Sequence, residues 1–512
     1  LFCARDPFGA KPLIYHAGAE LFAFASEARP LLGVSGVPRA LHEPRIADFL
    51  VGPLEGIDAT RTFFEGIFKL APAHRLTVRR TGGRLKTRTE RYWTPNPTQE
   101  LRLRDDRAYE AAFREALDGA VAVRLRSHRP VGVLQSGGID SAAVAGVARS
   151  LLPPGGRLRT FSAARPDPDC AESRAVRTLA ATEGVQAEIL TPDRFAEDPG
   201  SLVDHAAGMD DPFDAYLDGF RPALYARARA AGVTALLDGV DGDVVLGTGW
   251  TFLYEWLRRG RWLRAVGEAR AFSDTFDYPA HRLLWHGGVK PALAAAAPRW
   301  VLAKRRARQN RARTTGDLIR GTLLDRDFAE RVDVVGRTER LAQHGASPAS
   351  PSFRHRHAAA LTHPYLAVAL DRYERVALRH GIEARHPLLD RRLVELTLAL
   401  PFGQKMRAGQ RKSVLRRATA DVVPEAIRSR SGLGQDLSWL YRRRHLELEW
   451  DVVADVLLSE AAAPYIDGEG VRAVLDEPAS GAVSEPDVWN AAVLSAWLGT
   501  VRDDLEGPRI GG

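Results

Sequence analysis

Two short clusters of glycines and oxygen-bearing side chains carry the chemistry of this chain. The first is Ser136-Gly137-Gly138-Ile139-Asp140-Ser141. Its glycines let the backbone turn tightly and present bare N–H groups, its serines add hydroxyl donors, and Asp140 is an oxygen ligand of the kind Mg²⁺ takes. A turn so composed is suited to the oxygens of a nucleotide pyrophosphate. It lacks the lysine of a Gly-x-x-x-x-Gly-Lys loop, which argues against transfer of a terminal phosphate. The second cluster is Asp238-Gly239-Val240-Asp241-Gly242-Asp243. Aspartates gathered after an apolar run call for a cation, because uncompensated buried charge is costly. Asp140 and Asp243 together would clamp Mg²⁺ on a nucleotide and on released pyrophosphate.

The surrounding pattern says how these clusters are held. Val131, Val133 and Leu134 form an apolar run too short for a buried helix and suited to a central strand, and SAAVAGVARSLL resumes at helical spacing after the glycines. A helix over Ala108–Arg126 leads in. RLRTFSAAR, VQAEIL and VTALLDG read as strands, separated by the glycine-stopped helices AESRAVRTLAATEG and LDGFRPALYARARAAG. Strands alternating with helices predict a parallel, doubly wound α/β sheet, whose ligands sit beyond the carboxyl ends of its strands. Three such ends are candidates: 134–140, 161–164 and 237–243. The stretch ALDRYERVALRHGIEARHPLLDRRLVELTLALP predicts a long helix, a turn and a second helix from near Pro387. The aromatic run TGWTFLYEWLRRGRWLRAVGEARAF reads as an amphipathic helix and connector, mainly core, with the remainder available to line an acceptor pocket.

SGGIDS resembles the phosphate loop of ATP-pyrophosphatases, which cleave ATP between the α and β phosphates. The resemblance widens along the chain. CARDPFGAKPLIY, FASEARPLL, IFKLAPAHRLTV and RYW resemble the second half of the glutaminase domain of asparagine synthetase B, and GIEARHPLLD and GQRKSVLRRATADVVPEAIRSRSGLG are similar to blocks of its synthetase domain. It implies half of an N-terminal-nucleophile β-sandwich over residues 1–93 (a truncated type 2 glutamine amidotransferase-like domain), a linker over 94–107, and an ATP-pyrophosphatase-type synthetase domain over 108–512. Cys3 does not match the glutaminase nucleophile, since it lies in a strand before RDPFG, so no glutaminase residue is assigned.

The implied reaction is ATP-dependent amide formation through a carboxyl adenylate, with ATP and Mg²⁺ as cofactors. Its partners are a small-molecule or peptide carboxylate and ammonia or another amine. Val133, Leu134, Ser136, Gly137, Gly138, Asp140, Ser141, Ser162, Asp238 and Gly239 are expected at the nucleotide, and Asp140 and Asp243 at the metal. Glu383 takes the place of an acid that accompanies the base, Lys412 that of a lysine on the ATP phosphates, and Arg430 that of an arginine preceding a second lysine. Two positions depart from the family. Val240 stands where the family has a glutamate (tyrosine in β-lactam-forming relatives), and Gly432 where it has the second lysine. Valine can neither take nor give a proton, which leaves Asp241 as the nearby carboxylate to replace the base. DGVDGDVVLGTGW and the aromatic helix after it look more like the lasso-peptide macrolactam cyclases of this family, which join a side-chain carboxylate to a peptide α-amine. A nucleotide-binding member without turnover is the third reading.

Composition bounds the rest. A chain of 512 residues, 45% apolar and 27% charged, accommodates more than one globular core. No apolar run approaches the ~20 residues of a membrane span. The net charge of +8 is spread among interspersed acids, and the basic tract 303–313 has no stacking aromatics, so it reads as a solvated helix face rather than a nucleic-acid site. Two cysteines without a Cys-x-x-Cys partner, and no leader, suggest a reducing, cytoplasmic setting. The start at Leu1, directly in strand-like sequence, predicts a fragment of a longer protein. A homodimer is compatible with all of this.

Overall fold

A computed structural model of the chain describes residues 1–167, 169–191, 202–212, 220–247, 252–276, 278–298, 300, 314–344, 352–430, 438–478 and 483–507. The basic tract 303–313 and Gly432 lie outside the described residues. The chain folds as a mixed α/β protein. Its N-terminal part carries two antiparallel sheets, ordered β1(Phe2–Ala4)-β5(His74–Thr81)-β6(Arg84–Arg91) and β3(Phe22–Ala25)-β2(Ile14–Ala17)-β4(Ile67–Lys69). Cys3 faces inward from β1 among Leu70, Leu76 and Val78, where burial pushes its thiol above the usual range.

The second sheet system is parallel throughout, in the order β11(Glu383–Arg385)-β10(Ala235–Leu237)-β7(Val131–Leu134)-β8(Leu158–Ala163)-β9(Val185–Leu190). The chain builds β7, β8 and β9 outward on one side, then crosses back to lay β10 and β11 on the other. The reversal falls between β7 and β10, and at such a point the loops leaving the two strands diverge and open a crevice at the carboxyl edge. The loops leaving β7 and β10 are the two chemical clusters of the sequence.

Helices cover this sheet. Asp106–Leu125 begins inside the stretch read as linker because the Asp105 side chain caps it, accepting from the Ala108 N–H at 2.9 Å. Ile139–Ser150 is buried along most of its length, which only its alanines, valines and glycine permit at this packing distance. The aromatic run forms two helices, Phe252–Arg258 and Trp262–Phe276. Leu253, Trp256 and Leu257 are core as expected, whereas Trp262 and Leu263 are exposed, because the chain turns at Gly260 and breaks the helical phase that would have buried them. No described helix is long and apolar enough to cross a membrane.

A buried ionic network joins the N-terminal part to the helix Pro364–Arg379, which runs straight into β11. The Arg5 guanidinium donates to Asp371 and to the carbonyls of Leu70 (2.8 Å), Gly9 (2.9 Å) and Lys11 (2.9 Å). Lys69 bridges Asp211 (3.1 Å) and Asp371 (3.3 Å), and Arg375 reaches Asp210 and Asp211. Lys11 donates to Glu374 (2.6 Å) and to the Ala384 carbonyl (3.0 Å), tying β11 to the N-terminal loop. Removing one partner of such a network strands the others without water. Asp371→Ala is therefore expected to lower stability by about 3–5 kcal/mol. Urea unfolding of the full chain followed by tryptophan fluorescence checks this, and a loss below about 1 kcal/mol would show that the network is hydrated rather than sealed.

Candidate active site

The loop after β7 is rigidly prearranged. Ser141 Oγ accepts from the Ser136 N–H (3.1 Å), lies 3.1 Å from Ser136 Oγ and donates to the Gly138 carbonyl (3.2 Å). Gly137 has φ +79°, and a Cβ there would lie 2.5 Å from the Glu172 carbonyl oxygen, so only glycine serves. Asp140, in the first turn of Ile139–Ser150, points across the crevice, and Gly242 gives it room: any side chain there would overlap its carboxylate. Gly239 likewise packs directly on the Asp140–Ser141 backbone.

Lys412 closes the arrangement. It follows the short hairpin β12(Met406–Arg407)–β13(Gln410–Arg411) in a left-handed conformation, φ +59°, and opens the helix Ser413–Ala418. Its ammonium bonds Asp140 Oδ2 and sits 3.2 Å from Asp243 Oδ1, and the Arg411 guanidinium also bonds Asp243. Burial pushes the Asp140 carboxyl upward against the pull of Lys412, and Asp140 Oδ1 is buried with no hydrogen-bond partner. Two carboxylates sharing one cation, one with a spare buried oxygen, fit a divalent ion that arrives with its phosphates, although no cluster of metal-ligating side chains forms among the described residues.

These groups line a cleft of about 760 Å³, with Gly137 and Gly138 at its floor and Arg411, Lys412, Arg416 and Arg430 around it. Thr275 and Phe276, at the end of the helix Trp262–Phe276, form part of the wall. Arg430 donates to the carbonyls of Gly137 and Ala171, both at 3.2 Å, and lies 3.5 Å from Glu172. The Arg428 side chain turns away to Glu425. Arg411 and Arg416 were not singled out in the sequence, though both stand within one helical turn of Lys412.

The structure brings Ser136, Gly137, Gly138, Asp140, Ser141, Gly239, Asp243, Lys412 and Arg430 together. It distributes the other candidates differently. Val133 and Leu134 end β7 but, like Ser162, stay outside the cleft lining; Ser162 is buried with its hydroxyl 3.5 Å from Gln135 Oε1. Asp238 is buried and turned aside, both carboxylate oxygens facing His386 Nδ1 at 2.9 and 3.0 Å. Glu383 does not face the cleft. It opens β11 in register with Ala235, at the sheet's amino edge, and pairs with Arg385 at 2.6 Å. A parallel strand rises about 3.3 Å per residue, so its carboxyl-edge neighbour is His386, not Glu383. Asp390 caps the helix Arg391–Ala399 and bonds Arg124 at 3.0 Å.

Val240 packs on the core and offers no proton chemistry. Asp241 beside it is left-handed, φ 60°, and its Oδ2 is buried without a hydrogen-bond partner. Burial pushes its carboxyl up to about 6; His386 and Arg221 oppose that, and Asp238 and Asp243 add to it.

Comparison with known proteins accords with this geometry. The asparagine synthase family model matches residues 112–499, and a glutamine amidotransferase domain model matches residues 1–93. Glutamine-hydrolysing asparagine synthetase 1 of Bacillus subtilis is 23% identical over 510 residues, covering 97% of this chain and 75% of that protein. A putative glutamine-hydrolysing asparagine synthetase of Mycobacterium tuberculosis is 26% identical over 526 residues, covering 97% and 74%. The amidase chry2 of Gibberella zeae is 32% identical over 164 residues, covering 31% and 22%.

Two outcomes follow from the charges. Lys412→Met removes the cation between Asp140 and Asp243, so calorimetric binding of inorganic pyrophosphate should weaken at least about tenfold, roughly 1.4 kcal/mol. Unchanged binding would place the anion elsewhere. Asp241, raised in the fold from its ordinary 3.8, holds its proton more tightly folded than unfolded, so native stability falls as pH rises from about 4 to about 6. Asp241→Asn should therefore gain on the native chain over that interval, by up to about 3 kcal/mol. Parallel pH curves for the two proteins would exclude the buried, ionising carboxyl.

Proposed function

The chain belongs to the asparagine synthase family, and we propose that it forms an amide bond at the expense of ATP by way of a carboxyl adenylate. The observation that carries this is the Lys412 ammonium held between Asp140 and Asp243 at the mouth of the glycine loop. The bare N–H groups after Gly137, with Arg411, Arg416 and Arg430, make a seat for a polyphosphate. Asp140 and Asp243 would hold Mg²⁺, which supplies charge neutralisation on the phosphate oxygens. With the β and γ phosphates held at the cations, the α phosphorus is left towards the acceptor side. A carboxylate oxygen bonds to it as the bond to the β-phosphate bridge breaks, and Lys412 and Arg430 stabilise the departing pyrophosphate. An amine nitrogen then bonds to the activated carbon and AMP leaves with the electrons of the C–O bond. Holding both reactants in one crevice contributes much of the acceleration.

The amine is ammonia in the asparagine synthetase form of this reading. The apolar Val240 and the Phe276 wall favour a second form, in which the amine belongs to a peptide, as in macrolactam closure. Exchange of labelled pyrophosphate into ATP, run with L-aspartate, the other proteinogenic amino acids and side-chain carboxylates of peptides, tests the common step. Exchange with at least one of them is expected, with Arg430→Ala slowing it about tenfold or more. A chain that binds ATP yet exchanges with none would be a nucleotide-binding member without turnover. Which amine completes the product separates the two forms.

A further inference from the structure

Amide formation needs a proton acceptor, because the nitrogen that bonds to carbon carries a surplus proton. The carboxylates lining the cleft are otherwise engaged: Asp140 and Asp243 by Lys412 and Arg411, Glu172 by Arg430. Val240 is apolar, Glu383 stands at the amino edge of the sheet, and the Asp241 carboxyl is buried against the acids Asp238 and Asp243. We propose that His386 is the base that takes this proton, with Asp238 as the residue that positions it. This rests on the amide-forming reading above and goes beyond it.

The placement follows from the sheet. Leu237 and Arg385 are register partners, and the Asp238 N–H donates to the Arg385 carbonyl at 3.1 Å, so Asp238 and His386 leave their strands side by side at the carboxyl edge. Asp238 stands one strand spacing and His386 two, about 5 and about 10 Å, from β7, whose loop is the phosphate loop. The His386 side chain is 1% exposed. Its Nδ1 faces both oxygens of Asp238, and that carboxylate is itself fixed by the Val240 N–H at 3.2 Å. Nδ1 therefore donates to Asp238, and the role proposed for the ring requires Nε2 to carry the lone pair. Nε2 is buried and has no partner among the described residues, an expensive condition for a polar atom unless a ligand completes it. His386 is also among the residues, Glu383 included, that line an open hollow between β11 and the N-terminal loop Asp6–Lys11.

The charged groups around the ring are Asp238 and Asp241 from the β10 loop, Glu374 from the helix Pro364–Arg379, and Lys11, which is bonded to Glu374. Balance is simple: nitrogen bonds to the acyl carbon, the carbon–oxygen bond to AMP breaks, and the proton of the attacking nitrogen passes to His386 Nε2. The positive ring then sits against Asp238, as an acid–base histidine requires.

Two measurements on the full chain decide it. Nitrogen-15 spectra of histidine-labelled protein, with His386→Gln to assign the signal, should show a neutral ring protonated at Nδ1 at pH 7.5, lost in Asp238→Asn. A ring protonated at Nε2, or at both nitrogens, overturns the proposal whatever the substrate. The second measurement uses ATP and L-aspartate with ammonium, which must shed one proton before it attacks and another afterwards, or with hydroxylamine, which is already unprotonated at neutral pH and sheds only the second. Relative to pyrophosphate exchange, His386→Gln should cut amide formation from ammonium by about 100-fold or more and hydroxamate formation far less. Equal losses with both nucleophiles would mark His386 as merely structural. If the native chain shows no exchange with L-aspartate, aspartate adenylation fails instead, and the nitrogen spectra still judge His386.

Discussion

One ammonium group holds this site in shape. Without Lys412, the carboxylates of Asp140 and Asp243 would face each other across a partly buried crevice, and each would raise the other's cost of ionisation. The three residues come from the glycine-loop helix, the β10 loop and a distant hairpin. Their pairing therefore also fixes how those elements meet. The glycines are consequences of the same constraint. Gly242 yields the volume that Asp140 occupies, and Gly239 lets the β10 loop lie on the helix start. A charge arrangement that needs three elements at contact distance leaves no room for a Cβ between them.

The same crevice shows why the sheet had to be parallel and crossed over. Only at the reversal between β7 and β10 do two adjacent loops diverge while both remain at the carboxyl edge. The phosphate loop leaves one strand and the aspartate loop leaves the other. The next strand outward, β11, then delivers His386, the proposed base, to the end of the row.

Much of this was legible in the residues. The strand–glycine–helix pattern around Ser136–Ser141 is set by local chemistry, and its placement at a strand end followed from the alternation of apolar runs. Lys412 was singled out by resemblance alone, and its contacts with Asp140 and Asp243 are a geometry no spacing could give. Glu383 was misplaced for a physical reason. Its motif spans a strand of only three residues, and the difference between the amino and carboxyl edge of such a strand is invisible without the register to Ala235. His386 was passed over because a histidine before proline has no periodic signature; its meaning comes from Asp238, 148 positions away. Trp262 and Leu263 misled in the opposite sense, since aromatic spacing was read through the break at Gly260.

The N-terminal part bears on this centre through β11 rather than through the cleft. β11 is an edge strand, and an edge strand left open frays or pairs wrongly. Here Lys11 donates to the Ala384 carbonyl, and Arg5, Lys69 and Asp371 lock the preceding helix, so both the backbone and the approach of β11 are held from the other sheet system. The last residue of that strand pairs with Leu237, and the residue after it is His386. The junction between the two parts is thus a component of the reactive edge, because the strand that carries the proposed base has no second neighbour within its own sheet.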